Sequence, residues 1–326
     1  MIYNILHSPI MLGLILILGL VLLVRGADQL VAGASYLARR IGISDLVIGL
    51  TIVAFGTSAP EFVVNMVSVA NHATDLAITN ILGSNIINTL VILGCSALVF
   101  PIVAPSNSIK FDIPMNILAG VLVLLFVSVG SIDSGSGLSH FAGIVLLAVF
   151  LLFIVYTFRT ARQSESAEAA TTDITISVWW CLLMIVVGLV CLVSGGEMIV
   201  RSATTIARRL DVPESVIGLT IVALGTSLPE LATSVVAAVH HNSDIAIGNV
   251  VGSNIFNVFF ILGTSAAISP LAAYKGIGLD TLVTALSATI VLVLVCSNKE
   301  HAIKRWGGAV LLLVYAAYLA YRLMNY

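Results

Sequence analysis

The chain has 326 residues, 59% of them hydrophobic and 9% charged, with a mean hydropathy of +1.12 and a formal net charge of -2. Soluble domains carry about a quarter charged residues, so this composition excludes a water-soluble globular domain and marks an integral membrane protein. The near-neutral charge without long basic runs excludes a nucleic-acid partner, and Cys95, Cys181, Cys191 and Cys296, lacking C-x-x-C spacing, make neither a disulfide framework nor a metal site.

In chain order, ten segments are apolar over the roughly 20 residues that a bilayer crossing requires. They run from about 10 to 37, 45 to 71, 76 to 100, 113 to 130, 138 to 158, 176 to 206, 214 to 239, 245 to 269, 278 to 296 and 305 to 321. No Lys or Arg precedes the first, so it lacks the basic start of a secretory signal and is expected to stay as a span. The only clearly polar linker, Arg159 to Asp173, is too short for a folded domain.

The segments repeat. "TIVAFGTSAPE" begins at Thr51 and "TIVALGTSLPE" at Thr220, an offset of 220 − 51 = 169. The same offset carries Asp28 to Glu197, Arg39-Arg40 to Arg208-Arg209, Asp75 to Asp244, and "GSNIIN" (Gly83 to Asn88) to "GSNIFN" (Gly252 to Asn257). An ungapped match of this length marks a duplication. Each copy holds an odd number of spans, so the second must insert upside down relative to the first, as in secondary transporters built from inverted repeats around a midplane site on broken helices. The expected fold is all-α and membrane-integral, with ten transmembrane helices: a first five-helix repeat over 1–158, a cytoplasmic linker over 159–175, and a second, inverted repeat over 176–326. With the N-terminus outside, Arg39, Arg40, Lys110, Arg159, Arg162, Lys299, Lys304 and Arg305 lie inside, against Arg208, Arg209, Lys275 and Arg322 outside. That bias predicts both termini outside, in a multi-pass protein of the cell membrane.

The repeated words carry the chemistry. Pro60 has no amide hydrogen and crowds the Gly56 carbonyl, so carbonyls around Ala54 to Thr57 can turn inward. A bilayer tolerates such carbonyls only where protein or a water-filled cavity satisfies them. Thr57 and Ser58 precede Glu61 by four and three residues and share its side of the helix; Thr226, Ser227, Pro229 and Glu230 repeat the pattern. In the next helix Ser84 and Asn88, and likewise Ser253 and Asn257, are spaced i, i+4. Gathered about one axis, two carboxylates, two amides, hydroxyls and carbonyls form a hard-oxygen site that suits calcium or several monovalent ions and excludes zinc and copper. Ser and Thr beside a kink are a common packing device, but a duplicated intramembrane glutamate outweighs that reading.

The paired "GTSxPE" and "GSNIxN" segments resemble the alpha-repeats of the cation/calcium antiporter superfamily, particularly sodium/calcium exchangers and their short prokaryotic relatives. The resemblance implies calcium exit coupled to sodium entry by alternating access, without a cofactor and as a monomer. It implies that Glu61 and Glu230 bind calcium and share sodium, with the Thr57 and Thr226 carbonyls as further calcium ligands. The Ala54 and Ala223 carbonyls with Ser58, Ser84, Ser227 and Ser253 would complete sodium sites, and Asn88 and Asn257 would line the centre. Potassium-dependent relatives carry Asp at the position of Asn257, and proton-coupled ones a "GNxxE" motif, so sodium is the expected driving ion, with proton- or potassium-linked antiport of calcium or another divalent ion as the alternative. Two readings from other classes are weaker. An intramembrane hydrolase lacks a His or Lys placed to activate Ser58 or Ser227, and a cation channel needs a continuous pore. Asp75 and Asp244 are expected to N-cap helices. Asp28 and Glu197 fit equally a structural pairing with Arg25 or Arg201 and a transport role, and His72, His240 and His241 are expected to sit solvated at the interface.

Overall fold

The computed structural model describes residues 9–133, 136–164, 176–211 and 223–325. Its helices are α1 (Pro9–Ile41), α2 (Asp45–Thr57), α3 (Ala59–Ala70), α4 (Thr74–Val99), α5 (Ser108–Asp112 as a wide π-turn, then Ile113–Asp133), α6 (His140–Ser164), α7 (Val178–Arg209), α8 (Leu228–Val239), α9 (Ser243–Ile268), α10 (Ile277–Cys296) and α11 (Arg305–Asn325). Eight of these are long and apolar enough to cross a bilayer unbroken. A ninth crossing is the α2–α3 pair, bent by 46°. The tenth predicted span, 214 to 239, is represented by the shorter α8, because 212–222 lie outside the described residues. So does most of the predicted linker.

The duplication is visible element by element. α3 and α8 both start and end at an offset of 169, as do the opening turns of α4 and α9, Thr74–Ile86 and Ser243–Ile255. α1 and α7 are counterparts, and they pack against each other antiparallel. Gly19 meets the Gly195 backbone, and Gly26 meets that of Gly188. Since Gly19 corresponds to Gly188 and Gly26 to Gly195, the two contacts exchange under a twofold rotation. Equivalent helices running in opposite directions are what an inverted repeat requires. A Cβ at any of these glycines would fall within 2.9 Å of the facing backbone, so glycine alone permits this helix separation.

Two short antiparallel ribbons tie the halves together: Ile102–Val103 (β1) pairs with Ala302–Ile303 (β4), and Ser136–Leu138 (β2) with Leu271–Ala272 (β3). Burial separates centre from rim. The most apolar windows of α4 and α9 are 78% and 94% buried, against 28% or less for α1, α6, α7 and α11. The outer helices present Leu151, Leu152, Val186 and Leu313 as a lipid-facing surface, which leaves α3, α4, α8 and α9 to build the interior.

Several local expectations need correction. Asp75 and Asp244 lie inside the first turn of their helices; the cap of α9 is Asn242, whose Oδ1 accepts from the Ile245 N–H, and Ala73 stands at the corresponding position of α4. A side chain two residues further back, just ahead of the helix, reaches the exposed amide, which the aspartates inside the turn do not. Glu197 pairs with Arg201 at 2.5 Å, but Asp28 faces His240 Nε2 at 3.0 Å, because the long α1 delivers it to the end of α8. His72, His240 and His241 are exposed as expected, and His241 also packs edge-on against Phe100.

Candidate cation site

Both repeats break at the same backbone position. Ser58 (φ -83°, ψ 5°) and Ser227 (φ -87°, ψ 4°) leave the helical region just ahead of α3 and α8, whose first turns contain Pro60 and Pro229. Proline suits a first turn, where its missing N–H is not needed. Glu61 and Glu230 follow immediately, both fully buried. The Ala54 carbonyl, expected to be freed, accepts the Ser58 N–H at 3.0 Å and lies 3.4 Å from Thr57 Oγ1.

The site forms where the halves interlock. Ser58 Oγ donates to Glu230 Oε1 at 2.9 Å, crossing from one repeat to the other. Ser84 Oγ donates to Glu61 Oε1 at 3.4 Å and lies 3.2 Å from Ser227 Oγ. Asn257 Nδ2 donates to Ser84 Oγ at 3.3 Å and to Asn85 Oδ1 at 3.0 Å. Thr57 Oγ1 turns back onto the Val53 carbonyl and across to Asn249 Oδ1, both 3.1 Å away, and the Thr226 side chain addresses the Glu61 carboxylate. Glu61, Glu230, Thr57, Ser58, Ser84, Ser227, Ser253, Asn88 and Asn257 are all buried. Thr226 is half-buried; Ala223 is placed by its backbone alone.

Most of what remains unsatisfied at the centre is oxygen, the Asn88 amide nitrogen being the exception among the described residues. Glu61 Oε2, Glu230 Oε2, Asn88 Oδ1, Asn257 Oδ1 and Ser253 Oγ have no hydrogen-bond partner among the described residues. Buried oxygen acceptors without donors are costly in an apolar interior and are rare. An all-oxygen donor set with two carboxylates is of the kind that suits a hard cation. Asn88 and Asn257 sit in wide π-helical turns, Ile87–Ile92 and Phe256–Leu262, a feature that often marks functional positions.

Sequence reasoning passed over a second ring of amides. Asn85 and Asn254 are repeat counterparts, and Asn85 Nδ2 donates to the Asn254 carbonyl at 3.1 Å. Asn249 donates to the Glu230 carbonyl at 3.3 Å and to Ser234 Oγ at 2.9 Å, fixing the turn that carries the carboxylate. Its counterpart Asn80 donates to Asn65 Oδ1 at 3.1 Å. The offset of 169 relates each pair and was the available signal.

The chain matches the family described as sodium/calcium exchanger protein, over residues 11–159 and 180–324. It belongs to the sodium/calcium exchanger family. A putative antiporter, CaxA, of Alkalimonas amylolytica is 38% identical over 93% of this chain and 95% of its own length. The sodium/calcium exchanger MaX1 of Methanosarcina acetivorans is 33% identical over 94% and 97%. The solved sodium-calcium exchanger NCX_Mj, soaked with sodium and without calcium, superimposes with a TM-score of 0.79 at 33% identity, over 95% of this chain and 98% of that one. The protein is thus a multi-pass membrane antiporter of the cation/calcium class and not an enzyme.

Proposed function

We propose that the protein exchanges sodium for calcium by alternating access, with Glu61 and Glu230 as the shared anionic ligands. The observation that carries this reading is that each buried carboxylate keeps one oxygen without a partner while the other is held by a serine hydroxyl. Two such charges neutralise one calcium, and the same carboxylates release it to sodium ions drawn to the hydroxyls and carbonyls. Ser58, Ser84, Ser227 and Ser253, with the Ala54 and Ala223 carbonyls, serve sodium; the Thr57 and Thr226 carbonyls serve calcium; Asn88 and Asn257 line the centre between them.

Asparagine at both 88 and 257 supplies no third carboxylate to hold potassium or a proton, which supports sodium as the coupling ion. The working unit is one chain, divided into repeats at 1–158 and 176–326 around the cytoplasmic linker 159–175. It sits in the cell membrane with both termini outside and extrudes calcium. Radioactive calcium uptake into proteoliposomes, with outward sodium, potassium or proton gradients imposed one at a time, tests this. Uptake should require sodium inside; uptake driven by a proton or potassium gradient alone would replace sodium as the coupling ion.

A further inference from the structure

α5 and α10 each carry a buried aspartate near their start, Asp112 (1% exposed) and Asp280 (4% exposed). They are repeat counterparts: β1 and β3 begin 169 apart, and one residue fewer after β3 gives 280 − 112 = 168. Their surroundings differ in charge. Tyr274 and Tyr318 hydroxyls donate to Asp280 at 2.6 and 2.9 Å, and the Arg322 guanidinium stands 3.5 Å away. Asp112 accepts from Ser108 Oγ at 3.1 Å, and its Oδ1 has no partner among the described residues. No cationic side chain among them pairs with it.

Packing shows what replaces the arginine. Gly143 of α6 rests on Gly263, Ala266 and Ala267, and Gly308 of α11 rests on Gly94, Ala97 and Leu98, the same three positions one repeat earlier. Gly143 and Gly308 are therefore equivalent, which places Phe153 where α11 has Tyr318, and Thr157 where it has Arg322. Phe111 stacks on Phe153 with centroids 6.2 Å apart, and Tyr156 Oη donates to Asn107 Oδ1 at 3.3 Å, holding this part of α6 on the start of α5. Thr157 is 4% exposed, and its Oγ1 also has no partner.

We propose that Asp112, Ser108 and Thr157 form a monovalent-cation site apart from the central one, the ion taking the place that the Arg322 guanidinium holds in the other repeat. A buried carboxylate requires a compensating charge or a proton. The Ser108 hydroxyl touches the Asp112 carboxylate, the repeat correspondence sets Thr157 where α11 carries Arg322, and Asn116, one turn further along the same helix, is also buried. These are hard oxygen donors carrying one negative charge, which matches an alkali ion and leaves a divalent ion half compensated. The bound ion joins α5 to α6 as Arg322 joins α11 to α10.

The test uses purified full-length protein carrying Glu61→Gln and Glu230→Gln, so that the central carboxylates do not answer. Its thermal unfolding, followed by intrinsic tryptophan fluorescence, is compared in sodium, potassium or lithium chloride against N-methylglucamine chloride at one ionic strength. One alkali ion should raise the Tm in a saturable way, and both Asp112→Asn and Thr157→Arg should remove the rise. Thr157→Arg decides if Asp112→Asn does not fold. No alkali-specific rise, or a rise that survives either substitution in folded protein, overturns the site. So does stabilisation by lower pH alone in N-methylglucamine, which would mean that Asp112 is simply protonated.

Discussion

At the scale of single residues, the two glutamates are chemically equivalent but not identically held. Glu230 is oriented from both sides, by Ser58 on its side chain and by Asn249 on its carbonyl. Glu61 is held by Ser84 through a longer bond. Replacing either glutamate with Gln removes one of two charges opposing a divalent ion in a buried site; calcium uptake should fall at least about tenfold in each variant, because losing even 1.4 kcal/mol of ion affinity is a factor of ten. Tm in detergent should not fall, since the change also relieves the repulsion between two buried carboxylates. Ser84→Ala should reduce transport less, by removing a hydroxyl that touches both Glu61 and Ser227. Asn257→Asp tests selectivity: a third carboxylate at the centre should add a dependence on potassium or pH to sodium-driven calcium uptake, measured with each ion varied in turn.

At the scale of elements, the breaks and the seam have separate physical origins. Pro60→Ala restores an N–H that can bond to the Gly56 carbonyl, favouring a straight helix through Ser58. The expected outcome is a protein with equal or higher Tm and lower calcium uptake, since the break positions Glu61. The α1–α7 seam depends on shape. Gly188→Leu puts a side chain where a Cβ already lies 2.7 Å from the Leu30 nitrogen. Overpacking of this kind costs about 1–3 kcal/mol, and a lower Tm with loss of a monodisperse peak in size-exclusion chromatography would report it. Turn residues follow the duplication as well. His72 and His241, related by 169, both adopt positive φ (57° and 58°), while Gly42 and its counterpart Asp211 do so at 74° and 53°.

At the scale of the whole molecule, the proposed exchange sets the charge moved through the number of sodium ions taken per calcium. One calcium or two sodium ions balance the two glutamates, and the neutral oxygens around them are numerous enough for a third sodium ion. Exchange of three sodium ions for one calcium moves one net charge per cycle, worth about 2.3 kcal/mol per 100 mV. Proteoliposomes clamped with valinomycin at different potentials should therefore reach different equilibrium calcium ratios under one sodium gradient; a ratio independent of voltage would mean electroneutral exchange.

The sequence by itself determined the membrane character, the duplication and the breaks just ahead of Pro60 and Pro229, and it supplied the glutamates, serines and asparagines of the proposed site, because hydropathy, a fixed offset and proline chemistry are properties of the chain read linearly. It pointed to inversion too, through an odd number of spans per copy. It did not determine which repeat's serine serves which repeat's glutamate, nor the amides of Asn85, Asn249 and Asn254, nor the different settings of Asp112 and Asp280. Those depend on which helices pack together, often far apart in the chain, as Ser58 to Glu230 and the threonine at 157 where α11 carries Arg322 illustrate. Only the tertiary structure decided them, because a buried polar atom finds its partner through the closeness of helices, and that closeness is set by small residues on two chain segments at once.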